Sequence, residues 1–228
     1  MRPGKSPVTI CLSQINNGFS GQHYLPYSAG RLQSYVQKHA PGADYRFLLP
    51  LYKRSPLNES VDRMKEANIA AFSVYVWNIR ISLEIARLLK SASPERLIIF
   101  GGPQVPDGAE GFLRTNPFVD VVAHGEGERT FLRLLQAYPK NDWNDVPGIS
   151  FLERDGTFVH NPSLIRLRNL SEVPSPYLAD TFKPLMEAFR DETWLAMWET
   201  NRGCPFSCTF CDWGSAISDR QVAVGMPR

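Results

Sequence analysis

The feature that most constrains this chain is an alternation. Between residues 8 and 138, apolar runs of strand length recur, and each is followed by a stretch with helical periodicity. Val8–Ile15 reads as the first strand, with a helix over Ala29–His39. Asp44–Tyr52, carrying Phe47, Leu48, Leu49 and Leu51, reads as the second strand. Ser55 and Pro56 have the form of an N-cap and first helical residue, and Leu57, Val61 and Met64 then share one helical face. Ile69–Trp77 is apolar on both faces, as a central strand is. Asn78 is placed to cap a helix striped by Ile81, Ile85, Leu88 and Leu89. Arg96–Phe100 and Val119–Ala123 complete the strands, and Phe131, Leu134, Leu135 and Tyr138 mark the last helix of the series. Strands joined through helices need right-handed crossovers, so the sheet is mainly parallel and covered on both faces. The expected fold is α/β, an N-terminal Rossmann-like, doubly wound parallel sheet in the flavodoxin-like order.

Such sheets bind ligands at the carboxyl ends of their strands. The glycine-rich and polar stretches fall there: Gln14–Gly30 after the first strand, Gly101-Gly102-Pro103 after the fourth, and His124–Glu128 after the fifth. A glycine pair lets a bulky ligand approach the backbone, although two glycines before a proline also make a plain tight turn. Gly125-Glu126-Gly127-Glu128-Arg129-Thr130 superficially matches the start of a dinucleotide fingerprint. It follows the wrong strand, has Thr130 at the third glycine position, and would set two carboxylates against a pyrophosphate, which argues against NAD. Glu126 and Glu128 also read simply as acids at a helix start.

Further on, Ile149–Leu152 and Thr157–Val159, separated by Asp155-Gly156, read as a β-hairpin. Pro162, Pro174, Pro176 and Pro184 punctuate a linker, and Thr193–Thr200 reads as a strand. The expected division is residues 1–140 for the Rossmann-like domain, 141–190 for hairpin and linker, and 191–228 for the start of another domain.

That last segment holds three of the four cysteines, Cys204, Cys208 and Cys211, in a Cys-x3-Cys-x2-Cys spacing. Thiolates so placed suit an iron–sulfur cluster or zinc. Structural zinc takes four ligands, and no fourth cysteine or histidine follows. A disulfide would leave one of the three unpaired. Three cysteines on a [4Fe–4S] cluster leave one iron open to a small molecule.

This motif, with Phe210 before the last cysteine and Arg202-Gly203-Cys204-Pro205 leading into it, resembles the signature of the radical S-adenosylmethionine (SAM) family. The resemblance implies that Cys204, Cys208 and Cys211 ligate the cluster, that its open iron binds SAM, and that Phe210 lies beside the adenine. It also implies a partial (β/α) barrel, of which the chain carries only the first strand and the cluster loop. The chain is therefore expected to be a fragment.

A second resemblance covers the upstream part. Ser73 in Phe72–Asn78, Gly101-Gly102-Pro103, Gly125–Phe131 and Leu170–Leu178 are similar to the cobalamin (B12)-binding class of radical SAM proteins. This implies that the cobalamin tail passes Ser73, Gly101 and Gly102, with Gly125 and Glu126 near the corrin or its tail. The Asp-x-His-x-x-Gly motif that supplies a cobalt ligand in many cobalamin proteins is absent; His23 lies in the first loop without that aspartate and reads as a solvated loop histidine.

The resemblances imply an enzyme that uses a [4Fe–4S] cluster, SAM and cobalamin for radical methylation or rearrangement. Its small-molecule or peptide substrate is not named by the sequence, and its reductant would be a one-electron donor such as flavodoxin or ferredoxin. No individual catalytic residue is assigned. A non-catalytic corrinoid-binding module and a zinc-binding interaction protein are the alternatives. With 25 basic and 23 acidic residues and no basic run, nucleic acid is not an expected partner. No apolar stretch approaches a membrane span or a signal peptide, so no membrane partner and a cytoplasmic location are expected.

Overall fold

The computed structural model describes residues 6–202, Thr209 and residues 222–223. Its centre is a sheet in which β1 (Val8–Asn16) pairs in parallel with β3 (Tyr45–Phe47) and β4 (Leu51–Lys53) on one side and with β5 (Ile69–Ser73) on the other. β6 (Leu97–Gly101) and β7 (Val121–Ala123) follow in parallel. Taking β3 and β4 as one interrupted strand, the parallel part has the order 2-1-3-4-5, which is the flavodoxin-like order expected. The second strand is broken where the four steps from Phe47 to Leu51 stand against only three, Ile10 to Ser13, on β1, and Pro50 sits at the break without an N–H to donate.

The hairpin β8 (Ile149–Leu152) and β9 (Phe158–His160) adds to β7 antiparallel and so continues the same sheet. Strand alternation sorts the core into two layers. Cys11, Ala70, Phe72, Ile98 and Phe100 face α2 (Leu57–Met64), α3 (Ile79–Ala92) and α4 (Glu110–Thr115). Ile10, Leu12, Ile69, Ala71, Leu97 and Ile99 face α1 (Tyr27–His39) and α5 (Gly127–Ala137). Cys11 is a buried core residue of β1: its thiol donates to the Leu49 carbonyl at 3.6 Å, and burial pushes its pKa up to about 12. No described helix is long and apolar enough to cross a membrane.

Several expectations need correction. The N-cap of α2 is Pro56, not Ser55: its ψ of 144° is extended, so the helix begins one residue later, at Leu57. The elements that escape the periodicity reading include the short α4, the three-residue β2 (Gln22–Tyr24) inside the first loop, and a helix, α6 (Lys183–Ala188), within the expected linker. The strand expected over Thr193–Thr200 is only β10 (Thr193–Leu195), paired in parallel with β2. The Leu25 N–H still bonds to the Leu195 carbonyl at 2.9 Å, but Pro26 follows and has no N–H to carry the ladder on. After a gap, β11 (Asn201–Arg202) pairs antiparallel with β12 (Val222–Ala223).

The Pro-punctuated segment packs on the domain rather than hanging free. Leu167, Leu170 and Val173 bury against Tyr35 of α1, and Phe182 and Leu185 bury with Leu25 and Tyr52. This accounts for Gly30 in the first turn of α1. A Cβ there would lie 2.3 Å from the Phe182 ring, so only glycine allows the approach.

Candidate cofactor site

A cavity of about 520 Å³ opens at the carboxyl ends of β1, β5, β6 and β7, on the face covered by α1 and α5. Its volume is that of a small-molecule or cofactor site. The walls are made by small residues where the opposite face of the sheet has large ones. Ala71, Ala29, Ala123 and Gly101 line it, with Leu12, Ile99 and Leu134. The result is an apolar slot running down beside the sheet.

The structure brings Ser73, Gly101, Gly102, Gly125 and Glu126 together on the wall of this cavity. Gly102 has φ +109°, and a Cβ there would meet the Val74 carbonyl oxygen at 2.7 Å and its nitrogen at 2.9 Å, so the position requires glycine. The rim is tied by Asn78, which is fully buried. Asn78 occupies the N-cap position of α3, but its side chain makes no cap bond. Instead Nδ2 donates to the carbonyls of Ile15 (3.0 Å) and Ser73 (3.1 Å), and Oδ1 accepts from the Tyr75 N–H (2.8 Å). The expected cap is thus a clasp between the ends of β1 and β5, which needed the amide more than the helix did.

Sequence reasoning missed four features of the wall. Ser13 Oγ is buried beside the slot and has no hydrogen-bond partner among the described residues. A buried hydroxyl without a partner costs free energy that a ligand's polar group can recover. His124 Nε2 lies 2.9 Å from Ser150 Oγ, which in turn lies 2.8 Å from His160 Nδ1, so the wall connects to the outer strand β9. Burial, and then the charge of His160, holds His124 below the usual histidine range.

The third and fourth features are Arg31 and Arg202. Arg31 of α1 reaches Glu128 Oε1 with Nε (3.3 Å) and Glu199 Oε2 with Nη1 (2.7 Å). Arg202 pairs with Glu126 (3.2 Å), with Glu199 (3.2 Å) and, through both terminal nitrogens, with Glu128. Glu126 also accepts from the Leu167 N–H (2.8 Å). Burial would push Glu128 up, but the hydrogen bonds and charge of Arg202, with Arg31, outweigh it and hold the carboxyl below its usual range. Arg202 moves the other way; its burial is outweighed by Glu128 and Glu199, which raise it. The two glutamates are acids at a helix start, as read from the sequence, and they are also partners of a residue next to the cysteine motif.

His23 is not a solvated loop residue. It lies in β2, with Nε2 2.9 Å from Glu192 and its ring edge-on to Tyr52 at 5.8 Å. Pairing of β2 with β10 draws it in, because Glu192 immediately precedes β10. Cys204, Cys208, Cys211 and Phe210 lie outside the described residues.

Comparison with known proteins bears on this geometry. The profile of the B12 binding domain family matches residues 53–135, which include β5, β6, β7 and most of α5. The cobalamin-dependent radical SAM methyltransferase TokK of Streptomyces tokunonensis is 41% identical over 204 residues, covering 87% of this chain and 30% of the relative. The 2-(S-pantetheinyl)-carbapenam-3-carboxylate methyltransferase of Streptantibioticus cattleyicolor is 40% identical over 205 residues, with coverage of 87% and 30%. The chain thus spans about 30% of the length of these curated relatives. Among solved structures, OxsB, a cobalamin-dependent SAM radical enzyme solved with aqua-cobalamin and SAM, superposes with a TM-score of 0.72 at 24% identity, over 96% of this chain and 30% of its own. That likeness is one of fold. The slot at the strand ends, its unpartnered hydroxyl and its glycine rim fit a bulky cofactor with an apolar tail. Residues 53–135 thus match a B12-binding domain, and over 87% of its length the chain is similar to cobalamin-dependent radical SAM methyltransferase TokK.

Proposed function

We propose that this chain is the cobalamin-holding part of a radical SAM methyltransferase, in which Cys204, Cys208 and Cys211 ligate a [4Fe–4S] cluster and Phe210 borders SAM. The observation that carries this reading is the slot: the five residues expected to meet cobalamin line one cavity, and the arginine two positions before Cys204 is anchored at its mouth. When bound, the cluster with SAM and cobalamin supplies one-electron cleavage of SAM and methyl transfer to carbon.

The chain's own residues bind and shield. Leu12, Ala71, Ile99 and Leu134 give the cobalamin tail an apolar wall that excludes water. Ser13 Oγ is a free polar contact at depth, and Gly101 and Gly102 keep side chains out of the ligand's path. Gly125 and Glu126 form the rim. Methylation is preferred to rearrangement because the relatives at 41% and 40% identity both have names of methyltransferases. A carbapenam carboxylate, of the kind named for the second relative, is the first small molecule to assay with the whole enzyme, with flavodoxin or ferredoxin as electron donor.

The test is anaerobic reconstitution of the chain with iron, sulfide and hydroxocobalamin, followed by removal of excess and a visible spectrum. Retained sharp corrinoid bands together with a broad brown absorption are expected. Cys208→Ala should lose the brown absorption and keep the corrinoid. Corrinoid without any cluster in the native chain would favour a corrinoid-binding module, and loss of both signals in Cys208→Ala would sink the two-site division.

A further inference from the structure

We propose that residues 162–166 form a strap that completes the cobalamin cavity, with Leu164 packing against the corrin ring of the bound cofactor. This rests on the reading of the cavity given above. It extends that reading to a segment outside residues 53–135, the part that matches the B12 binding domain family.

The strap is a stretch without helix or strand that leaves β9 and passes the first turn of α5. Its start is pinned by Asn161, which is buried. The Asn161 N–H donates to the Ile149 carbonyl at 2.8 Å, and Nδ2 donates to the carbonyls of Trp143 and Val146, both at 2.7 Å. The Pro162 carbonyl then accepts from the Gly148 N–H at 2.9 Å. The far end is pinned by Leu167, whose side chain buries with Tyr35 and whose N–H donates to Glu126 at 2.8 Å. Between the two ends, Arg129 of α5 donates to the Ile165 carbonyl, and Arg166 lies 3.7 Å from Glu126. The strap is thus fixed by residues that also make the cavity rim, Glu126 among them.

Ser163, Leu164 and Arg166 line the cavity. A Cβ built at Gly148 would lie 3.5 Å from Ser163 Oγ, and one at Gly125 would lie 4.0 Å from it. Ser163 therefore sits over the turns that follow β7 and precede β8. Leu164 is 42% exposed, although both ends of its segment are buried. A lone exposed leucine on a surface needs no explanation. Leu164 differs because it continues the apolar wall of Leu12, Ile99 and Leu134 outward to the mouth. The adjacent Ile165 is 79% exposed and is not part of the lining.

Cobalamin combines a nucleotide tail with a corrin ring that is broad, apolar on its faces and fringed with amides. The slot beside the sheet accepts the tail, and the ring is too broad to follow it between sheet and helices. The ring stays at the mouth, where the strap is. Leu164 gives it an apolar contact, and Ser163 puts a hydroxyl beside the amide fringe. Because the strap is tied at both ends before any ligand arrives, this contact costs little ordering entropy. Leu164 is a binding residue for the cofactor and takes no part in the chemistry.

Hydroxocobalamin is the probe, added to the full chain. Retention is read as the rate at which corrinoid absorbance leaves the protein after desalting. Leu164→Asn, close in size and uncharged, should lose corrinoid about tenfold faster than the native chain, since an amide does not replace the apolar contact. Ile165→Asn, one residue away and outside the lining, should stay within about twofold of native. Thermal melts check that both variants fold; should Leu164→Asn unfold, Leu164→Ala takes its place, with loss about threefold faster than native. In the native chain, the backbone N–H groups of residues 163–165 should exchange with solvent about tenfold more slowly when hydroxocobalamin is bound.

Folded Leu164 variants that hold corrinoid as long as the native chain, or equal losses from Leu164→Asn and Ile165→Asn, would overturn the strap contact and leave the cobalamin reading standing. Strap exchange unaltered by retained hydroxocobalamin would overturn it as well. A native chain that retains no corrinoid would instead overturn the cobalamin reading itself, and the strap contact with it.

Discussion

On one face of the sheet, the carboxyl ends of β5 and β6 carry Phe72 and Phe100, with ring centroids 5.0 Å apart, and Phe112 of α4 closes on Phe100 at 6.1 Å. On the other face the same strands carry Ala71 and Gly101, and the slot opens there. The strands, the twist and the crossover rule are common to both faces. What differs is side-chain volume at the neighbouring positions, one residue out of phase. A doubly wound sheet fills both faces by default, so the slot is a local withdrawal of volume, made with alanine and glycine at the strand ends.

The largest effect that this contrast predicts lies on the filled face. Phe100→Ala removes a fully buried ring with aromatic neighbours on two sides, and should destabilise the protein by about 3–5 kcal/mol in denaturant unfolding. A cost under ~1 kcal/mol would mean that this face collapses as readily as the slot face, and the contrast would break.

At the rim, Gly102→Ala forces a side chain onto a backbone with φ +109° and into the Val74 carbonyl. It should cost about 1–3 kcal/mol and loosen corrinoid retention, because Val74 and Gly101 are also joined by a backbone hydrogen bond of 2.7 Å that must shift. Unfolding midpoints and corrinoid retained after desalting check both halves.

How much of this could be read from the sequence depends on how far apart the cooperating residues are. The sheet order was legible because each strand is a contiguous apolar run. The glycines at strand ends were legible because the fold rule says where strand ends are functional. Asp44–Tyr52 was read as one strand because its apolar content is continuous, while the break comes from Pro50 and from one residue in excess of the neighbouring β1 between Phe47 and Leu51. β2 has too few apolar residues to announce itself, and its partner β10 lies far along the chain. The Arg31–Glu128 and Arg202–Glu128 contacts span 97 and 74 residues, and no spacing rule reaches that far. The signal that was available is the placing of Glu126 and Glu128 among the glycines and of Glu199 and Arg202 just before the cysteines.

The neighbouring alanines of β5 give the cleanest test of the contrast. Ala70 faces the filled layer and Ala71 the slot. Ala70→Leu should overpack and cost about 1–3 kcal/mol. Ala71→Leu should be close to neutral for stability, since it enters existing space, yet it should abolish corrinoid retention by occupying the tail's place. The two substitutions are chemically identical and adjacent. Equal losses of stability would show that the slot closes in solution.

The smallest effect concerns the polar wall. His124 is held below the usual histidine range by burial first and by His160 second, against a weaker opposing pull from Asp107. With the folded value depressed, the unfolded chain binds the proton more readily. The associated stability is present above the ordinary histidine pKa and is lost as pH falls through the folded one. His124→Gln keeps an amide that can bond to Ser150 and removes the titration. The fall in Tm between about pH 7 and pH 5 should therefore be smaller in the variant, by about 1–2 °C once partial solvent screening is allowed for. Nothing comparable is expected from Ala70 or Phe100 substitutions on the filled face, because neither touches this chain of His124, Ser150 and His160. An identical pH dependence in native and variant would mean that the wall residues stay neutral throughout, and that the slot differs from the filled face in volume alone.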